Sequence, residues 1–312
     1  MKKKFKEFDY YPSDKEVDNW IEEIWSEGNK IDFKVEPLVR DYTTHKAEFR
    51  HIKRCQYIKF SIKGMNDFYG YWQPAISYPA PLLIHVPGYG AEFSSHPNLV
   101  FEGYNVLHIT PLGYVTPDTV NESLKQNGHW PVLPQTAISK AKEGYKQWFI
   151  ECIVAIRWSQ KQKEVLPNRI SFFGTSQGGG CSLILGSIYK DRGVRCVAAD
   201  VPFLTNFPLA STYDYPDGGS YNVAFSRIKE LKDPSEGWYA LGFIDTLSHA
   251  RRLTVPVMLT SGGLDKLCPA ETINTLFEKL PGTKLYFHIP EQTHEYTQQF
   301  MMIATSWFRL YA

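Results

Sequence analysis

From residue 81 onward the chain is punctuated by short apolar runs, at 82–86, 105–110, 169–173, 196–201, 255–260 and 284–289. Most are apolar at consecutive rather than alternate positions, so strands built from them have no polar face to turn toward water. Such strands are buried on both sides, and a parallel sheet with helices packed above and below buries both. Helical patterns do lie between most of the runs, at 138–160, 177–189, 270–280 and 294–310. The alternation predicts an α/β fold: a mostly parallel central sheet with helices on both faces. At 312 residues and 43% hydrophobic content the chain has material for one large core. With no repeat, low-complexity tract or linker to divide it, residues 1–312 read as a single domain.

The first 80 residues add something different. Ser13 and Glu16 form a candidate capping box, and Val17, Trp20, Ile21, Ile24 and Trp25 make one apolar stripe, which predicts a helix over 13–26. Residues 48–62 and 68–76 read as strands joined by the turn Gly64-Met65-Asn66-Asp67, an antiparallel hairpin at the start of the sheet. Two later stretches break the strand–helix rhythm. Residues 111–137 form a long polar loop rich in Pro and Gly, a length that is usually either functional or disordered. Residues 202–252 are too long for a simple crossover, carry Tyr213, Tyr215, Tyr221 and Trp238, and read as a cap or an oligomer-contact insertion.

A formal net charge of +1 gives no footprint for nucleic acid or an anionic membrane, and Lys2, Lys3, Lys4 and Lys6 read as a solvated end. That basic start is not followed by an apolar h-region, and no run reaches the ~20 residues of a membrane span. Cys55, Cys152, Cys181, Cys196 and Cys268 are odd in number and dispersed, as expected of buried free thiols in a reducing cytoplasm.

The chemistry concentrates at 174–178, Gly-Thr-Ser-Gln-Gly, between a strand pattern and a helix pattern. Gly-x-Ser-x-Gly in that setting is a nucleophile elbow: the glycines let a sharp turn pack closely and Ser176 stands free at the strand's end. The following helix aims its first N–H groups at the same place. A Ser hydroxyl needs a neutral His as base, and that His needs a carboxylate to fix its tautomer. Asp265 follows the run 255–260 and His294 follows the run 284–289, in the order Ser, acid, His. Asp200 and Asp245 are the rival acids, and His288 is the rival base, read as a structural His within its strand. An oxyanion hole needs two donors, for which the N–H of Gln177 and the N–H of Tyr89, in the loop Pro87-Gly88-Tyr89-Gly90, are the candidates. His294-Glu295 is not a metal motif, because Gln298 stands where a second His would be required.

These residues resemble the acetyl xylan esterase / cephalosporin C deacetylase group, carbohydrate esterase family 7, within the α/β-hydrolases. The likeness covers most of the chain and rests on Gly174-Thr175-Ser176-Gln177-Gly178-Gly179-Gly180, Asp200-Val201-Pro202-Phe203-Leu204, Gly263-Leu264-Asp265 with Cys268-Pro269, His294-Glu295 and Gly88-Tyr89. The resemblance implies removal of acetyl groups from xylo-oligosaccharides and from cephalosporin C, no cofactor, and a homo-oligomer, commonly a hexamer. The chain departs from the family at Pro111-Leu112-Gly113-Tyr114, where the family usually carries Arg-Gly-Gln.

Overall fold

The computed structural model describes residues 5–38, 55–90, 93–118, 120, 122–125, 141–215 and 220–312, with the side chains of 141–143, 122 and 220 outside the description. Among the described residues nine strands make one sheet: β1 (Phe33–Leu38), β2 (Gln56–Ile62), β3 (Phe68–Gln73), β4 (Ala80–Val86), β5 (Asn105–Thr110), β6 (Val165–Thr175), β7 (Val194–Asp200), β8 (Val257–Gly262) and β9 (Lys284–Ile289). Their order is β1-β2-β3-β5-β4-β6-β7-β8-β9. β1, β2, β3 and β5 pair antiparallel, and every pairing from β5 through β4 to β9 is parallel. The apolar runs thus became the parallel strands, as their lack of a polar face demanded.

Among the described residues ten helices cover the sheet: α1 (Asp14–Lys30), α2 (Pro97–Phe101), α3 (Ala141–Ser159), α4 (Gln177–Ile188), α5 (Phe207–Ala210), α6 (Ser220–Glu230), α7 (Pro234–Gly242), α8 (Thr246–His249), α9 (Ala270–Lys279) and α10 (Gln298–Tyr311). Side chains along the central strands alternate between two cores. Leu82, Ile84 and Val86 of β4 join the cluster that contains α1, α3, α4 and α9. Leu83 faces the other cluster, which Leu99 and Val100 of α2 and Phe300, Ala304 and Phe308 of α10 complete. Helices therefore lie on both faces, as the period-2 geometry of a strand requires. Among the described residues no helix is long and apolar enough to cross a membrane.

The capping box at Ser13 is formed in both directions, so α1 starts where expected, and it runs on to Lys30. Strand β1 was not foreseen. It is a half-exposed edge strand with Pro37 in it, and only Phe33 and Val35 alternate with polar residues, too short a pattern to stand out. The expected hairpin exists from Gln56, while its stretch 48–54 lies outside the described residues. β3 stops at Gln73 because Pro74 cannot continue the ladder. α10 begins at Gln298 rather than at 294. Thr297 caps it, accepting a bond from Phe300 N, and this leaves His294 in the loop before the helix. The expected loop 111–137 is described only in part: residues 111–113 form a short 3-10 turn, and 126–137 lie outside the description.

The 202–252 insertion folds as α5 to α8 around an aromatic cluster in which Tyr221 stacks on Phe203 and Phe225, and Phe225 on Trp238. Asp245, one of the rival acids, is buried and serves as a structural knot. It caps α8 through Leu247 N and accepts bonds from Asn206 N, Phe207 N and the Tyr11 hydroxyl.

Candidate active site

β5 and β6, consecutive in the chain, lie on opposite sides of β4. At such a reversal the connections leave the sheet in opposite directions and open a crevice at the carboxyl ends of the strands. The loop after β4, Pro87 to Gly90, and the turn after β6, Ser176, meet there.

Ser176 has φ 58° and ψ −121°, a backbone conformation that a residue with a Cβ adopts only under strain. Its own peptide groups hold it: Ser176 N donates to Asp200 O at 2.9 Å, and Ser176 O accepts from Gly180 N at 3.0 Å and Phe203 N at 2.9 Å. Gly178 makes the turn possible, since a Cβ there would stand 2.1 Å from Val86 O and 2.8 Å from Pro87 O. Gly178→Ala must therefore push the end of β4 away. It should lower stability by about 1–3 kcal/mol and reduce activity by shifting the loop that carries Tyr89, which thermal unfolding and steady-state kinetics would register. An unchanged melting temperature would mean that the close approach is dispensable.

Asp265 sits just past β8, and its carboxylate is wholly buried. One oxygen, Oδ1, accepts from Leu267 N and Cys268 N, each at 2.8 Å; the other, Oδ2, lies 2.8 Å from His294 Nδ1. His294 Nε2 lies 3.0 Å from Ser176 Oγ. The loops bearing Asp265 and His294 are laced together by Gly263 N to Ile289 O and Leu264 N to Gln292 O, both 2.9 Å. Asp265, His294 and Ser176, the three expected side chains, thus form one hydrogen-bonded line.

The rivals are placed elsewhere. Asp200 is buried under the elbow, where Thr175 and Thr260 donate to its carboxylate, and burial pushes its pKa up to about 6. His288 is exposed at the sheet edge and bonds Ser261 at 2.8 Å.

Two neighbours were not anticipated as parts of the site. The Cys268 thiol lies against Ser176, and burial holds its pKa far above the ordinary range, so it remains protonated. The only sign of it in the sequence was its place three residues after Asp265. Asp265, Cys268 and His294 could in principle converge on a metal ion, but the carboxylate and the imidazole are already engaged in the line just described. Tyr145, from α3, reaches the Gln177 side chain at 3.3 Å. Gln177 and Tyr89 line one small pocket together with Thr110, Tyr114 and Trp148.

The departure at 111–114 also has a structural counterpart. Leu112 takes φ 66°, and its N–H donates to Glu151 at 2.5 Å, while Gln147 donates to the other oxygen of the same carboxylate at 2.8 Å. Glu151 is fully buried, and burial raises its pKa from 4.5 to about 7 despite those two bonds. Because the folded-state value is the higher one, the stability this group contributes is complete at acid pH and is lost as pH rises toward 7. At 1.36 kcal/mol per pKa unit the loss is on the order of 3 kcal/mol. Glu151→Gln keeps the acceptor for Leu112 N without the ionisation. Its melting temperature relative to the parent should rise between pH 5 and pH 8; a pH-independent difference would show that Glu151 titrates normally.

Sheet order, elbow and hydrogen-bonded line together define an α/β-hydrolase. Residues 3–310 match the family model described as acetyl xylan esterase (AXE1). The chain belongs to the acetyl xylan esterase family. It is 24% identical over 268 residues to acetyl esterase Axe7A of Xylanibacter ruminicola, a match spanning 82% of this chain and 58% of that protein. Among solved structures, acetyl xylan esterase 1 from Thermoanaerobacterium sp. JW/SL YS485 superposes with a TM-score of 0.75 at 20% identity, over 96% of this chain and 93% of that one. The acetyl xylan esterase of Paenibacillus sp. R4 gives 0.75 at 21% identity over 97% and 98%. An acylaminoacyl peptidase of Pyrococcus horikoshii shares the fold more distantly, with a TM-score of 0.57 at 13% identity over 87% of this chain and 43% of that one.

Proposed function

We propose that this protein removes acetyl groups from acetylated carbohydrates, xylo-oligosaccharides in the first place, through an acetyl-enzyme on Ser176. His294 Nε2 takes the Ser176 proton as Oγ attacks the ester carbonyl. The N–H groups of Gln177 and Tyr89 hold the oxyanion. Collapse expels the sugar hydroxyl, which leaves with the proton from His294. Water, deprotonated in turn by His294, then releases acetate and restores the hydroxyl of Ser176. Asp265 keeps the His294 proton on Nδ1 and stabilises the imidazolium.

The observation that carries this reading is the unbroken line Asp265–His294–Ser176, at 2.8 and 3.0 Å. Substrate size is argued from the pocket beside Tyr89 and Gln177. That pocket is small, with room for about one water-sized group, which suits the methyl of acetate. The exposed ring of Tyr296, two residues beyond His294, offers an aromatic face against which a sugar can lie.

The test combines a covalent probe with a substrate series. A fluorophosphonate should label Ser176, located by peptide mass. Turnover of aryl esters should fall steeply from acetyl to butyryl, with acetylated xylo-oligosaccharides and cephalosporin C hydrolysed at the same site. Absence of labelling would point to a binding protein on this fold, and a preference for long acyl chains would point to a lipase-like esterase.

A further inference from the structure

We propose that His85, His96 and His108 form a binding site for one divalent transition-metal ion of the zinc type, separate from the hydrolytic centre. His85 on β4 and His108 on β5 are direct partners across the parallel ladder, and their alternation places both on the face covered by α2 and α10. His96 comes from the loop immediately before α2, where its backbone N–H is fixed by Gln73 Oε1 at 2.7 Å. The three rings are buried, with exposures of 2%, 6% and 0%. Phe173 stacks on His85 with centroids 4.7 Å apart, and Phe93 lies 5.2 Å from His108.

One ring nitrogen from each lies within 4.8 Å of the other two. His85 Nδ1 lies 2.7 Å from His108 Nδ1 and 2.9 Å from His96 Nε2. Hydrogen bonding alone cannot satisfy that arrangement. A ring nitrogen offers either one N–H or one lone pair, so His85 Nδ1 can complete one of the two contacts and leaves the other poorly matched. The opposite nitrogens, His85 Nε2 and His108 Nε2, are buried and have no partner among the described residues, so no second bond dictates which tautomer these rings adopt. With both protons on the Nε2 atoms, the two Nδ1 lone pairs face each other, an arrangement that repels unless a cation lies between them. All three rings are buried, and Phe93 and Phe173 pack against them. Neutral imidazole is the form that ligates.

Three neutral imidazole nitrogens this close together suit a borderline divalent ion such as zinc, with water in the fourth position. Nitrogens bound to one zinc at ~2.0–2.1 Å in a tetrahedron stand about 3.3 Å apart, so the ion would widen the present contacts by about half an ångström. Its place in the fold indicates what it would do. His85 precedes and His96 follows the segment 86–95, which contains Tyr89, so one ion would pin both ends of that segment to the sheet.

The protein, stripped by dialysis against a chelator, should bind one zinc ion per chain by calorimetry and melt at a higher temperature with zinc present. His96→Gln lies at the rim of the cluster, where folding is least at risk, and should weaken zinc binding by about 100-fold or more, beyond the 10–100-fold typical of residues that only support a ligand. Cobalt provides a reading that needs no variant: bound at the three nitrogens it should show visible d–d bands without thiolate-to-metal charge transfer in the near ultraviolet. Charge transfer, abolished by Cys268→Ser, would instead place the ion at Asp265, Cys268 and His294 and overturn the proposal. So would zinc binding that His96→Gln leaves unchanged, or no zinc binding by the parent protein.

Discussion

Replacing Ser176 with Ala should reduce kcat for an acetyl ester by about 10⁴–10⁶-fold while the protein remains folded. The substitution deletes only Oγ. Ala inherits the strained φ of 58°, and the three backbone bonds that hold the elbow involve peptide atoms and survive. What disappears is the atom that forms the acetyl-enzyme, so the variant should also lose fluorophosphonate labelling. A residue of turnover above the rate in water would remain, because the oxyanion donors still polarise a bound carbonyl. Steady-state kinetics with a chromogenic acetate, paired with thermal unfolding, tests this directly. A variant that stays folded and keeps a tenth of the parental kcat would show that another nucleophile does the work.

Asp265→Asn should lower kcat by about 10⁴-fold, and the reason lies in the two backbone amides. Leu267 N and Cys268 N both donate to Oδ1. An Asn in the same place must keep its oxygen on those donors, which turns its NH₂ toward His294. The imidazole would then have to accept at Nδ1 and carry its proton on Nε2, facing Ser176. In that tautomer it cannot take the serine proton. Kinetics would record the loss, and the ¹⁵N shifts of the His294 ring would report the exchanged tautomer. Activity within tenfold of the parent would transfer the carboxylate's role to another residue, with Asp200 first in line because it lies beneath the same elbow.

How far the sequence carried the fold depended on how local each signal was. The parallel strands were legible because a strand with two buried faces has no polar positions, and the start of α1 was legible because a capping box is completed within four residues. β1 was not, because an edge strand buries little and its pattern is correspondingly weak. The start of α10 was misplaced by four residues, since the apolar spacing continues upstream while the cap at Thr297 sets the boundary. Among the site residues, the order Ser, acid, His was readable because each follows its own strand. The contact between Cys268 and Ser176 was not, nor was the bond from Leu112 N to Glu151, since nothing near either residue in the chain encodes its partner. The cluster of His85, His96 and His108 is of the same kind: spacings of eleven and twelve residues match no ligand motif, and only the pairing of β4 with β5 brings two of the rings side by side.

By itself the sequence determined the α/β class, the elbow at Ser176 and a short set of partners for it, because burial pattern, turn chemistry and the order of strand ends are written in neighbouring residues. The sequence also favoured Asp265 over Asp200 and Asp245, while only the tertiary structure set its carboxylate against His294 and brought three distant imidazoles together. Those outcomes depend on which strand ends lie beside one another in the folded sheet, and a choice between distances in space cannot be made from separations along a chain.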